Sequence, residues 1–182
     1  MHRAWRIVLL PLVLLLPLGV LLAVPGCSNN GRDSGAPGMS EEHATVEARL
    51  PLEIGGKRIR AQVALTPAEQ ARGLMYRESL GADEGMLFPF REGRRQSFWM
   101  KDVPIALDIA YIDGEGVLRE VRRGLPQDRS PIPSRRGDIQ FVLEMRAGWF
   151  AENEVRAGAR LDLELVRKAL RARGADTAQY GL

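Results

Sequence analysis

The sequence has one cysteine, Cys27, and only two histidines, His2 and His43. A lone cysteine excludes a disulfide framework, even in an oxidising compartment. Both histidines precede Thr45, where strand-like patterning begins, so the region expected to fold carries neither imidazole nor thiol. That removes Ser-His-Asp and Cys-His nucleophile systems and the usual zinc sites. Acid–base chemistry would fall to carboxylates, lysine or tyrosine. Phosphate-cradling glycine loops and calcium-loop spacing are also missing, and no metal or cofactor is expected. Met75, Met86, Met100 and Met145 are the soft ligands a copper(I) site would use. With no histidine or cysteine beside them, and at strand spacing, they read as core fillers. Lysine is scarce: Lys57, Lys101 and Lys168 stand against 23 arginines.

What is present begins at the N-terminus. Arg3 and Arg6 precede an uncharged, mostly apolar run, Ile7 to Val24, which closes on Val24-Pro25-Gly26-Cys27. This is the layout of a secretory signal with a small residue before the cut. It resembles a bacterial lipoprotein signal, with Pro25 as a departure, and makes Cys27 the expected lipidation site. The alternative is an uncleaved anchor, since the run falls little short of the roughly 20 residues a bilayer requires. Either way the rest of the chain is expected on the periplasmic side of a bacterial cell envelope. By the same resemblance Ser28, where an aspartate would signal retention at the inner membrane, favours the outer one. Removing residues 1–26 takes Arg3 and Arg6 away and leaves 24 basic against 23 acidic residues, a formal charge of +1. The whole-chain value of +3 therefore overstates the basicity, and no concentrated basic face supports nucleic-acid binding.

Four segments follow from composition: a signal over 1–26, a Gly/Ser/Asn-rich tether over 27–44, a β-rich domain over 45–166 and a basic C-terminal tail over 167–182. Gly55-Gly56 between Thr45–Ile54 and Lys57–Leu65 predicts a two-residue hairpin. Thr66-Pro67-Ala68-Glu69 has the cap, the N1 proline and the returning glutamate of a helix start, with Gly73 ending the helix. Strands are expected over Gly85–Phe90, Gln96–Met100, Leu107–Ile112, Val117–Arg122 and Ile139–Met145. A long loop over Gly124–Gly137, a helical turn over Ala147–Asn153 and a closing strand over Leu161–Val166 complete the pattern. The fold class is mainly β (α+β): a small single-domain barrel-like or sandwich fold with one or two short helices.

Several apolar patches are broken by single polar residues. They include Gly73-Leu74-Met75 with Arg77, Gly85-Met86-Leu87-Phe88 with Phe90, and Phe98-Trp99-Met100-Lys101. Leu107-Asp108-Ile109 with Ile112-Asp113, and Val142-Leu143-Glu144 with Ala147-Gly148, continue the series. In this order the patches resemble the bacterial and archaeal family known as domain of unknown function 192, over most of Val46 to Leu165. The resemblance implies a compact β-rich fold, often behind a signal peptide, and no established activity. Asp102 in place of the family's Asn, Ala106 in place of its Pro, and the lack of its Pro-Cys step around Gln127–Pro131 are departures.

The candidate binding residues are Arg77, Trp99, Lys101, Asp108 and Glu144. Alternation puts Phe98 and Met100 on one side of a strand and Trp99 and Lys101 on the other. An outward Trp beside a lysine suits ring stacking plus an anchor for an anion or hydroxyl; the plainer alternative packs Trp99 under the long loop. Asp108, in an apolar strand, needs a partner if buried, with Lys101 and Arg77 as candidates for a structural pair or a shared ligand. Glu144 raises the same question. Asp108 with Glu144 is also a possible glycosidase pair, although no spacing requires it. The arginine pairs Arg94-Arg95, Arg122-Arg123 and Arg135-Arg136 read as solvated charge. The expectation is an envelope-tethered binding or accessory domain, partnered by the membrane through Cys27 and by a small molecule, glycan or envelope protein. The alternatives are a carboxylate-dependent glycan hydrolase and a non-enzymatic scaffold.

Overall fold

Gly55 and Gly56, with φ of 58° and 75°, turn strand β1 (Leu50–Ile54) back onto β2 (Lys57–Val63). Positive φ at both turn positions matches the twist of the strands, and glycine reaches it without a Cβ clash. The computed structural model describes residues 43–182. Helix α1 (Pro67–Arg72) follows with the expected capping box: Thr66 accepts from the Glu69 N–H, and the Glu69 side chain accepts from the Thr66 N–H. Because α1 forms a crossover, β3 (Glu84–Arg94) returns parallel to β2.

The short β4 (Ser97–Phe98) pairs only with β7 (Ile132–Pro133). Strands β5 (Leu107–Asp113), β6 (Leu118–Gly124) and β8 (Ile139–Arg146) complete a curled, six-stranded half-barrel. Its order is β1-β2-β3-β8-β5-β6. Beyond it lie α2 (Trp149–Glu152) and α3 (Leu163–Ala172). The main β fold with few short helices is the expected class. Among the described residues no helix is long and apolar enough to cross a membrane. The signal over 1–26, Cys27 and nearly all of the 27–44 tether lie outside them.

Alternate residues of each central strand feed two cores on opposite faces. Leu87, Ala110, Leu143 and Met145 pack with Trp149, Phe150, Val166 and Leu170 from the helical side. Met86, Phe88, Ile109, Tyr111 and Val142 pack with Leu74, Met100, Val103 and Ile132 on the other. Three of the four methionines among the described residues are therefore ordinary core, with Met145 on the first face and Met86 and Met100 on the second.

The C-terminal region departs from expectation. Leu161–Val166 is not a closing strand, and 167–182 is not a tail. Asp162 caps α3 by accepting N–H bonds from Glu164 and Leu165, and Val166, Ala169 and Leu170 bury a helical stripe. The alternation of Leu161 to Leu165 spans only the cap and first turn, whereas the i, i+3, i+4 spacing after it governs. A 3-10 turn over Thr177–Tyr180 then buries Tyr180. Arg173 reaches back to bond the carbonyls of Val63 (3.1 Å) and Ala44 (2.7 Å) and the Glu69 carboxylate (2.6 Å). Arg160 and Leu161 bridge Val117 and Ile54, so one segment touches both ends of the sheet.

Candidate functional site

Beyond β4 the chain leaves the sheet and crosses the second face as a strap, Trp99 to Ala106. Met100 anchors it. Its side chain is fully buried and lies so close to Gly124 that a Cβ there would overlap its sulfur. The Met100 N–H donates to Asp128 O (2.8 Å), and the Gln127 N–H donates to Val103 O (2.9 Å). Asp102, Tyr76 and Gln127 all adopt positive φ, between 57° and 62°, a conformation that costs non-glycine residues energy and persists where surroundings enforce it. Tyr76 and Asp102 enforce each other. The Tyr76 N–H donates to Asp102 O (2.7 Å), and its hydroxyl donates to the Asp102 carboxylate (3.3 Å).

Locked in this way, the strap leaves Trp99 47% exposed while Met100 is buried. The expected division between the two holds, although regular strand ends at Phe98 and the turn does the work that alternation was expected to do. Phe98 is half-buried, edge-on to Phe88 and Tyr111 at 5.0 and 6.3 Å. The Lys101 ammonium lies 5.4 Å from the centre of the Trp99 ring, within cation–π range.

Between the strap and the end of α1 lies a narrow cleft. Arg72, Leu74, Phe88, Trp99, Lys101 and Glu144 are among its lining residues. Its water-accessible space is about 30 Å³, room for about two water-sized groups. Glu144 is only 4% exposed, and among the described residues no group hydrogen-bonds its carboxyl. Burial alone pushes that carboxyl up to about 8, because a low-dielectric surround disfavours the charged form. Tyr111 lies on the same sheet face and donates its hydroxyl to Ile132 O. Burial first, then the nearby Glu144 and Glu120, raise its phenol above the ordinary value.

The other expected site residues lie elsewhere. Asp108 points to the opposite face, where it pairs with Arg123 (2.7 Å) and accepts the Gly148 N–H (2.8 Å). Neither Lys101 nor Arg77 is its partner, because cross-strand register sets Asp108 opposite Arg123. The Asp108–Glu144 pair is likewise ruled out as one catalytic centre: in the β5–β8 ladder Ile109, not Asp108, stands opposite Glu144. Arg77 bonds Gln62 (2.9 Å) in a neighbouring cavity of about 200 Å³. Structure thus unites Trp99, Lys101 and Glu144, adds Arg72 to the cleft and ties Tyr76 to the strap, and sequence reasoning missed both additions. Arg72 directly precedes the Gly73-to-Arg77 motif and Tyr76 lies inside it, but only the motif's terminal arginine carried an evident charge role.

A family model described as DUF192, Uncharacterized ACR, matches residues 50–163. The chain belongs to the domain of unknown function 192 family. Solved structures are similar to it in fold and sequence, two of them from Sinorhizobium meliloti and Novosphingobium aromaticivorans. A Sinorhizobium meliloti protein described as a candidate transcription regulator is 32% identical, with a TM-score of 0.58 over 63% of this chain and 92% of that one. A protein of unknown function from Novosphingobium aromaticivorans is 30% identical, with a TM-score of 0.60 over 63% and 84%. No curated protein matches the chain. Four of the stretches by which the chain resembles its family meet at the cleft: Gly73-Leu74-Met75, Phe88 at the end of Gly85-Met86-Leu87-Phe88, Phe98 to Lys101, and Glu144 at the end of Val142-Leu143-Glu144.

Proposed function

We propose that this member of the domain of unknown function 192 family is an envelope-tethered binding domain whose ligand seats over Trp99 and Lys101. The observation that carries the reading is a half-exposed Trp99 ring held by a strained, doubly anchored strap, with a lysine ammonium beside it. Large aromatic surface left exposed at a rigid position favours stacking recognition. Among the described residues, Tyr76, at 71% exposure, and Leu125, at 59%, are the other large exposed apolar side chains. Tyr76 is bonded to the strap, and Leu125 stands in the turn whose Gln127 and Asp128 hold it. Among the described residues the cleft presents one carboxyl and neither imidazole nor thiol, which favours binding over catalysis. The signal-like N-terminus and Cys27 supply the expected tether.

Co-sedimentation tests the reading. Protein carrying Cys27→Ser, to remove membrane attachment, is mixed with isolated peptidoglycan sacculi and with outer-membrane vesicles. It should pellet with one of them, whereas the Cys27→Ser, Trp99→Ala, Lys101→Ala protein of unchanged melting temperature should stay in solution. Equal pelleting of both proteins, or of neither, overturns it.

A further inference from the structure

The Glu144 carboxyl is the one feature of the cleft that the stacking platform does not need. Among the described residues no group hydrogen-bonds it, and a buried carboxyl so placed is costly to keep, whereas β8 would accept an apolar residue between Leu143 and Met145. Glu144 lines the cleft rather than sitting sealed in the sheet. Among the described residues three ionisable side chains line this space, Arg72, Lys101 and Glu144. Two are cations, and burial favours the neutral form of the third. The lining is therefore positive in balance, with a buried carboxyl that can donate its O–H and a more exposed cation beside it. A ligand cation would meet Lys101 at the entrance, and an apolar group would leave Glu144 unpaired. A group with two acceptor oxygens satisfies both, one toward the Lys101 ammonium and one toward the Glu144 hydroxyl. The enclosed space admits only a group of that small size, so the rest of the ligand must lie outside, against Trp99.

We infer that the cleft between Trp99, Lys101 and Glu144 takes the carboxylate of an acidic sugar, with the sugar ring lying on Trp99. This rests on the binding-domain reading above and names its ligand chemistry. Charge-assisted bonds from Lys101 supply the attraction. Glu144 supplies selectivity, since a ligand lacking the carboxylate leaves a buried polar group unpaired.

Three sugars of one ring shape separate the possibilities: D-galacturonate, D-galactose and D-galactosamine. Each is titrated at pH 7 into the protein, with the Trp99 indole N–H resonance and calorimetry as readouts. Galacturonate should shift the Trp99 signal and bind at least tenfold more tightly than galactose, with galactosamine no tighter than galactose. Lys101→Ala should abolish the galacturonate preference. Glu144→Leu should also abolish it, whereas Glu144→Gln, which keeps a donor at the same place, should retain it; melting curves confirm that each variant is folded. Equal, Trp99-dependent binding of galactose and galacturonate overturns the carboxylate inference while leaving the binding-domain reading intact. Tightest binding of galactosamine overturns it in favour of a cation site. Failure of all three sugars to bind also overturns it, and the sedimentation experiment then judges the broader reading separately.

Discussion

Asp108 and Glu144 lie on adjacent strands one register step apart, and that step puts their side chains on opposite faces of the sheet. Asp108 has a guanidinium and a backbone N–H as partners, whereas the Glu144 carboxyl opens only onto the cleft. Substitution should therefore act in opposite directions. Asp108→Ala strands the Gly148 N–H and should cost about 1–3 kcal/mol, measured by denaturant melts. Glu144→Gln should stabilise the protein at high pH.

The sign of that pH effect follows from proton counting. The Glu144 carboxyl is raised from its ordinary 4.5 to about 8 in the folded protein. Between those values the folded state binds more protons than the unfolded state, so stability falls as pH rises. Its contribution is fully present below about 4.5 and lost above about 8. Arg72 and Lys101 line the same cleft, and the buried Tyr111 lies near Glu144 on the same sheet face. Wild type should thus lose a few kcal/mol between pH 5 and 9 that Glu144→Gln does not. Parallel pH–stability curves for the two proteins would refute the assignment.

Trp99 and Trp149 should respond very differently to truncation. Trp149 is fully buried, edge-on to Phe150, and donates its indole N–H to Asp83 (2.9 Å). Trp149→Ala should cost about 3–5 kcal/mol, and Trp99→Ala within about 0.5 kcal/mol. Chemical denaturation of both variants checks this. Comparable losses would make Trp99 a structural residue and remove the centre of the proposed site.

A protein ending at Val166 should fail to fold cooperatively. The truncation removes Ala169, Leu170 and Tyr180 from the first core and Arg173 with its three bonds. Thermal melting followed by circular dichroism should show a broad, non-cooperative transition. A sharp melt at the full-length temperature would restore the view of this region as a tail.

Cys27 should carry lipid. Metabolic labelling with a fatty-acid analogue should tag the wild type and not Cys27→Ser. Label on both, or on neither, would remove the lipoprotein tether from the proposed function.

Local signals made much of the architecture legible. The Gly55-Gly56 turn, the Thr66 capping box and the paired strands each depend on neighbours within a few residues. The partner of Asp108 was not legible, because Arg123 reaches it through strand register, and register is settled by the whole sheet. The cleft was half legible. Trp99 and Lys101 advertise themselves, but the union of Glu144 with Arg72 depends on a crossover that brings the end of α1 to the cleft. The C-terminal helix was misread because its amphipathic stripe begins inside a stretch of period-two alternation, and both periods fit the first five residues.

The reach of Arg173 to Ala44, Val63 and Glu69, with Leu161 bridging to Ile54, has a consequence in time. The first strands made gain these partners only once the last residues are made, so the earliest hairpin lacks part of its support until the chain's far end emerges. Contacts this distant in sequence slow folding, because loop closure precedes any gain from them. A chain short of them is more open, and an open chain is the form in which a polypeptide can be threaded across a membrane.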